Sequence, residues 1–225
     1  MTRLVLLHGS LTGSARSWGA QRELAARFEL VAPDRPGFYP GPPVARVDFE
    51  ADVRWLRDVV RAGDHLVAHS YGAVIALVAA PSLPLASLVV IEPPAFSIAR
   101  GEPVVESWLA RAEALPRTDP RTHAAAFLRL VGAPFLLPQE LPPDLEQGVE
   151  ALFRERHPVD ADVPLAPLPY PVLVVTGDHE PAFDAVGDVL ERELGAERIV
   201  LSGGGHAVQS APGFNEALLA FLRRA

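Results

Sequence analysis

The residues of this chain that can do chemistry cluster at the ends of short apolar runs. Foremost is Ser70, in the segment His65-Leu-Val-Ala-His-Ser-Tyr-Gly-Ala-Val. An apolar run ends before it and an apolar helical pattern begins at Tyr71, with Ala68 and Gly72 two residues to either side. A sharp strand-to-helix turn holds a nucleophilic serine in a strained backbone, and residues two positions away must be small to avoid collision. The full pattern is Gly-x-Ser-x-Gly, and Ala68 stands in place of its first glycine. A serine here also suits a plain helix N-cap, so the hydroxyl alone does not decide. The N–H of Tyr71 falls in the first helical turn, unpaired and at the positive end of the dipole, where an oxyanion can accept from it.

Two other segments supply what a serine nucleophile needs. His8-Gly9-Ser10 ends the first apolar run, and the N–H that follows the glycine can point at the same oxyanion. Gly203-Gly-Gly-His206 follows the last apolar run. A glycine loop can carry an imidazole to the serine hydroxyl, which needs a base at neutral pH. A carboxylate should orient that imidazole and stabilise its charged form. Glu180 and Asp178 follow one strand, in Gly177-Asp-His-Glu-Pro, and Glu92 follows another, ahead of Pro93-Pro94. All three remain candidates, and each suits an exposed loop acid equally well. His65, His69, His123, His157 and His179 show no metal-ligand spacing, and no phosphate-binding glycine pattern follows a strand. Neither a metal nor a cofactor is expected.

The elements that must position these groups follow a simple rhythm. Apolar runs at Leu4–Leu7, Glu29–Ala32, His65–Ala68, Ser87–Ile91, Val172–Thr176 and Arg198–Leu201 predict parallel strands covered on both faces. Helical patterns at Trp18–Arg27, Asp48–Arg61, Tyr71–Ala80, Phe183–Leu194 and Phe214–Arg224 lie between or after them. Alternation of this kind predicts an α/β fold with a doubly wound, mostly parallel, six-stranded sheet. Residues 93–169 break the rhythm. They hold helical patches near Val104–Ala114 and Thr122–Val131 but no convincing strand. A structureless loop of that length is implausible in a compact domain. We therefore expect a core of residues 1–92 and 170–225 with a helical cap formed by 93–169.

Composition narrows the partners. The chain has 225 residues, 49% hydrophobic and 21% charged, an ordinary globular balance. Its net charge of −8 argues against nucleic acid or an anionic membrane surface as partner and leaves a small molecule as the expected one. It contains no Cys, and all 20 basic residues are Arg, so thiol and lysine chemistry are excluded. With no signal-peptide pattern and no apolar run of membrane length, the expected location is the cytoplasm. Oligomeric state is not readable.

Taken together, His8-Gly9, Asp34-Arg-Pro-Gly37, the turn at Ser70 and the late His206 resemble the α/β-hydrolase superfamily, in its cap-bearing branch. The resemblance covers most of the chain outside 93–169. It implies Ser70 as nucleophile, His206 as base, and the N–H groups of Ser10 and Tyr71 as oxyanion hole. It places the family acid three residues after Gly177, at Glu180, where aspartate is usual; some relatives take it from the position of Glu92. It also implies that the first two strands of the family sheet are missing. Serine at the nucleophile position argues against the dehalogenase and epoxide-hydrolase chemistries that use aspartate there. Hydrolysis of a small carboxylic ester through an acyl-enzyme is the expected reaction. Cleavage of a carbon–carbon bond, lactone or amide, a hydroxynitrile-type lyase and a non-catalytic binding protein are the alternatives.

Overall fold

A computed structural model describes all residues, 1–225. The six expected strands form, as β1 (Arg3–Leu7), β2 (Glu29–Val31), β3 (His65–His69), β4 (Ser87–Ile91), β5 (Val172–Thr176) and β6 (Glu197–Val200). They make one sheet in the order β2-β1-β3-β4-β5-β6, and every neighbouring pair is parallel. The order reverses direction at β1 and β3, which is where ligands collect in open α/β sheets.

The period-two alternation of the strands divides the core. Val5, Leu7, Leu66, Ala68, Leu88, Val90, Val172 and Val174 point to one face. That face is covered by α2 (Phe49–Val59), α3 (Tyr71–Ala79) and α7 (Pro181–Leu194). Leu4, Leu6, Val67, Val89, Leu173 and Val175 point to the other, against α8 (Phe214–Leu222) and the 3-10 segment Gly19–Ala26. A short helix α1 (Ser14–Ser17) precedes that segment, so the pattern at Trp18–Arg27 winds mostly as 3-10 rather than α. Each face buries apolar side chains at roughly 25 cal/mol per Å², which makes the sheet the rigid platform of the molecule.

Between β4 and β5 run three further helices, α4 (Pro103–Glu113), α5 (Pro120–Leu130) and α6 (Pro143–Arg154). α4 joins the main core through Val105, Trp108 and Leu109. α5 and α6 pack on each other around Ala124, Leu128, Leu145, Val149 and Leu152, with Leu11 of the core reaching in. α6 was not among the helical patches read from the sequence, although Pro143 at its first turn, Asp144 and Glu146 near its start and the Leu145, Val149, Leu152 spacing all mark one. Gly148 in its middle is required by contact, because a Cβ there would lie 1.8 Å from the Leu11 carbonyl oxygen. No helix is long and apolar enough to cross a membrane.

Candidate active site

Ser70 stands between β3 and α3 with φ 55° and ψ −125°, a backbone region that non-glycine residues rarely enter. The turn is tight because backbone packs on backbone. A Cβ on Gly72 would lie 2.4 Å from the His8 carbonyl oxygen, and one on Gly9 would lie 2.8 Å from the Ser70 Cβ. Ala68 is fully buried within β3 and is accommodated there. Tyr71 opens α3, so its N–H has no intrahelical acceptor. The Ser10 N–H makes no hydrogen bond within the chain.

His206 follows the glycine run after β6, where Gly203 and Gly205 both have positive φ. Its Nε2 lies 2.8 Å from Ser70 Oγ, and its Nδ1 lies 3.3 Å from Glu92 Oε2. The loop is held by His69, whose Nε2–H donates to the His206 carbonyl at 2.8 Å. With Nδ1–H directed to the carboxylate, Nε2 is free to accept the serine proton. Desolvation is the main reason His206 drops to about 3, and His179 adds to it. The ring therefore rests neutral, the form a base requires.

Glu92 sits just past β4 with φ 48°. Its Oε1 accepts the Gly177 N–H at 2.7 Å, and His179 Nδ1 lies 3.7 Å from Oε2. Burial pushes its carboxyl up, while His179 and the Gly177 N–H pull toward the carboxylate.

Glu180, expected beside His206 from the glycine spacing, does not reach it. Pro181 starts α7, which makes Glu180 the N-cap, and its side chain accepts from the Ala182 N–H at 3.4 Å. Its other oxygen takes Arg111 of α4 at 2.7 Å. Asp178 turns away as well, accepting from Ser202 Oγ at 3.1 Å. The carboxylate brought to the imidazole is thus Glu92.

A second buried cluster escaped the sequence reading. The Arg35 side chain is fully buried. It donates to Asp52 at 2.9 Å, to the Gly9 carbonyl at 2.8 Å and to Glu155 Oε1 at 3.4 Å. Its guanidinium carbon lies 4.6 Å from the Tyr71 ring centroid. Glu155, just past α6, accepts the Ser10 hydroxyl at 2.5 Å. Burial pushes Glu155 up to about 7, against the pull of Arg35 and Ser10. The backbone of Ser10 is thereby steadied from both the sheet and the end of α6. The Asp34-Arg-Pro-Gly motif pointed at Arg35 in sequence, but nothing local marked Glu155 as its partner.

A family profile described as the alpha/beta hydrolase family matches residues 4–215. The chain belongs to the alpha/beta hydrolase family. Among solved structures, this hydrolase-family chain is similar to NosK from Streptomyces actuosus, at 24% identity and TM-score 0.68, over 100% of this chain and 98% of that one. It is also similar to the carboxylesterase CesB from Bacillus subtilis, at 23% identity and TM-score 0.68, over 100% and 84% of the two chains. A structure described among novel epoxide hydrolases from hot-environment metagenomes matches at 19% identity and TM-score 0.71, over 98% and 90%. No curated protein matches in sequence. At these identities the likeness is one of fold.

Two cavities, of about 340 and 440 Å³, meet at Ser10, Ser70 and His206. Glu92, His179 and His206 each offer one possible metal ligand within 4.8 Å of the others. Two of these three already bond to each other, and the histidine is also bonded to Ser70, which suits a proton relay better than a cation.

Proposed function

We propose that this protein is a serine hydrolase of small carboxylic esters, acting through an acyl-enzyme on Ser70. The observation that carries the reading is the relay itself, with 2.8 Å from Ser70 Oγ to His206 Nε2 and 3.3 Å from His206 Nδ1 to Glu92. In this reading Ser70 Oγ attacks the carbonyl carbon as His206 Nε2 takes its proton. The carboxylate of Glu92 stabilises the imidazolium that forms. The carbonyl oxygen becomes an oxyanion and accepts from the N–H groups of Ser10 and Tyr71. His206 then gives its proton to the leaving alcohol as the carbon–oxygen bond breaks. Water, deprotonated by the same nitrogen, attacks the acyl-enzyme and frees the acid and Ser70. A serine at this turn supports acyl transfer over displacement by a carboxylate nucleophile.

Labelling with a fluorophosphonate probe tests the proposal. Wild type is expected to label stoichiometrically and Ser70→Ala not at all. Folded wild type that resists the probe and turns over no 4-nitrophenyl ester would remove the reading and favour a binding or lyase role.

A further inference from the structure

The smaller cavity beside Ser70 has a guanidinium and a ring N–H at its rim that no acid of the chain takes. Trp108 and Tyr71 contribute wall to this cavity, with Nε1 and Oη themselves sealed from it. His157 also lines it; its Nδ1 accepts from the Val159 N–H at 3.2 Å, so the ring proton sits on Nε2 and is free to donate. Arg117, exposed at the rim, lies 5.3 Å from the Phe153 ring centroid and donates to the Phe153 carbonyl at 3.1 Å.

The charges of the same cavity sort clearly. Arg156 is taken by Glu50 at 2.5 Å and Asp160 at 3.7 Å. Glu155 is taken by Arg35 and Ser10. Arg117 forms no ion pair, so it is the cation of this cavity left without an acid. Burial is the main reason His123 and His157 are lowered; Arg117 adds to it at both, while Asp160 and Glu113 oppose it at His157. Much of the remaining wall is apolar, including Phe127, Leu130, Leu152 and Phe183. A partly apolar space with one cation free of an acid and a ring N–H at its rim complements an aliphatic carboxylate.

Position also tells which half of an ester goes where. His206, which must protonate the leaving group, lines both cavities, and only the larger is also walled by the loop that follows it, through Ala207, Gln209 and Ser210. The leaving alcohol belongs on that side, and the acyl half belongs in the smaller cavity.

We propose that the smaller cavity selects an acyl group ending in a carboxylate, bound at the rim by Arg117 and the Nε2–H of His157. This rests on the hydrolytic reading for the acyl assignment but not for the existence of the anion site. The test compares mono-4-nitrophenyl adipate, which carries a free carboxylate, with its methyl-capped counterpart. In wild type at low ionic strength, kcat/KM is expected to favour the free acid at least tenfold, mainly through KM. The ratio falls as salt rises, and falls to about one in Arg117→Gln. A wild-type ratio of one or less, or a ratio untouched by Arg117→Gln, overturns the proposal. The salt dependence needs no variant, so a poorly folding Arg117→Gln does not remove the test. If neither ester is hydrolysed, the hydrolytic reading has failed separately. Adipate itself then decides: it should raise the melting temperature of wild type more than that of Arg117→Gln, and equal or absent shifts sink the anion site.

Discussion

Two buried charge clusters flank Ser70, and they are built for opposite ends. The relay of Glu92, His206 and Ser70 is strung in a line, with glycine loops and positive-φ residues at both ends. The cluster of Asp52, Arg35, Glu155 and Ser10 is wrapped around a single guanidinium that bonds to three partners, with an aromatic ring against it. The first can pass a proton along its length. The second has no neutral base facing a hydroxyl, and it ties β1, α2 and the end of α6 together. On the hydrolytic proposal, charge burial therefore serves reactivity in one place and attachment in the other.

That contrast breaks most visibly if Glu92 is changed. Glu92→Gln removes the charge that stabilises imidazolium and should lower kcat by about 10³–10⁴, with little change in melting temperature. Steady-state kinetics on a 4-nitrophenyl ester measures the first and calorimetry the second. A large loss of stability with modest loss of rate would reverse the roles assigned to the two clusters.

Arg35→Met should do the opposite. It leaves two buried acids without their cation, at a cost of about 3–5 kcal/mol. Chemical denaturation should show this as a lower midpoint. A variant as stable as wild type would mean that the cluster does not hold the helices to the sheet.

Acid pH separates the groups further. His8, His69 and His206 are each lowered from 6.5 to about 3, chiefly by burial. The unfolded chain binds their protons below pH 6.5 while the folded chain does not, so their contribution is full above 6.5 and is lost as pH falls. Glu92 and Glu155 are raised above 4.5, again by burial, and have the reverse sign. They favour the folded state at low pH and weaken it as pH rises through their folded values. Between 4.5 and 6.5 the two acids offset two of the three histidines, so unfolding still takes up at least one proton net. Below 4.5 the three histidines dominate, at about 1.4 kcal/mol per proton per pH unit. Melting temperature should fall gently with pH in the upper window and about three times more steeply below it. A steady slope from neutral pH downward would contradict the offset.

The smallest effect belongs to Glu180. Its partner Arg111 is half exposed, so solvent screens the pair. Glu180→Gln should keep esterase activity within about threefold and cost under ~1 kcal/mol through the cap and ion pair. Activity collapsing in Glu180→Gln while Glu92→Gln stays active would overturn the placement of the acid.

The pair of acids also shows how far the sequence could be read. Strands were legible because fully buried runs such as Leu4–Leu7 and Ser87–Ile91 admit few alternatives. The meeting of Ser70 at a tight turn with His206 from a glycine loop was legible because small residues and glycines must surround such positions. The acid was not, because spacing from Gly177 specifies a position in the chain and not a direction. Pro181 turned Glu180 into a helix cap, and Arg111, far away in sequence, drew its charge outward. The signal for Glu92 was present as a lone charge at the end of an apolar strand, stiffened by two prolines. The Arg35 cluster depends on Glu155, 120 positions away, and although a motif marked Arg35, nothing local marked that partner. α6 was a failure of another kind, since its capping pattern was there to be read.

One close contact limits how a substrate enters. The Leu11 carbonyl presses so closely on α6 at Gly148 that the place of a side chain is already filled. Leu11 itself has φ 67° and follows Ser10 directly. Helix and oxyanion loop are therefore one rigid wall, and swinging that helix outward would drag the Ser10 amide with it. In the proposed hydrolase, guests would then arrive past the rims marked by Arg117 or by Phe135 and Leu136, leaving the Ser10 amide undisturbed.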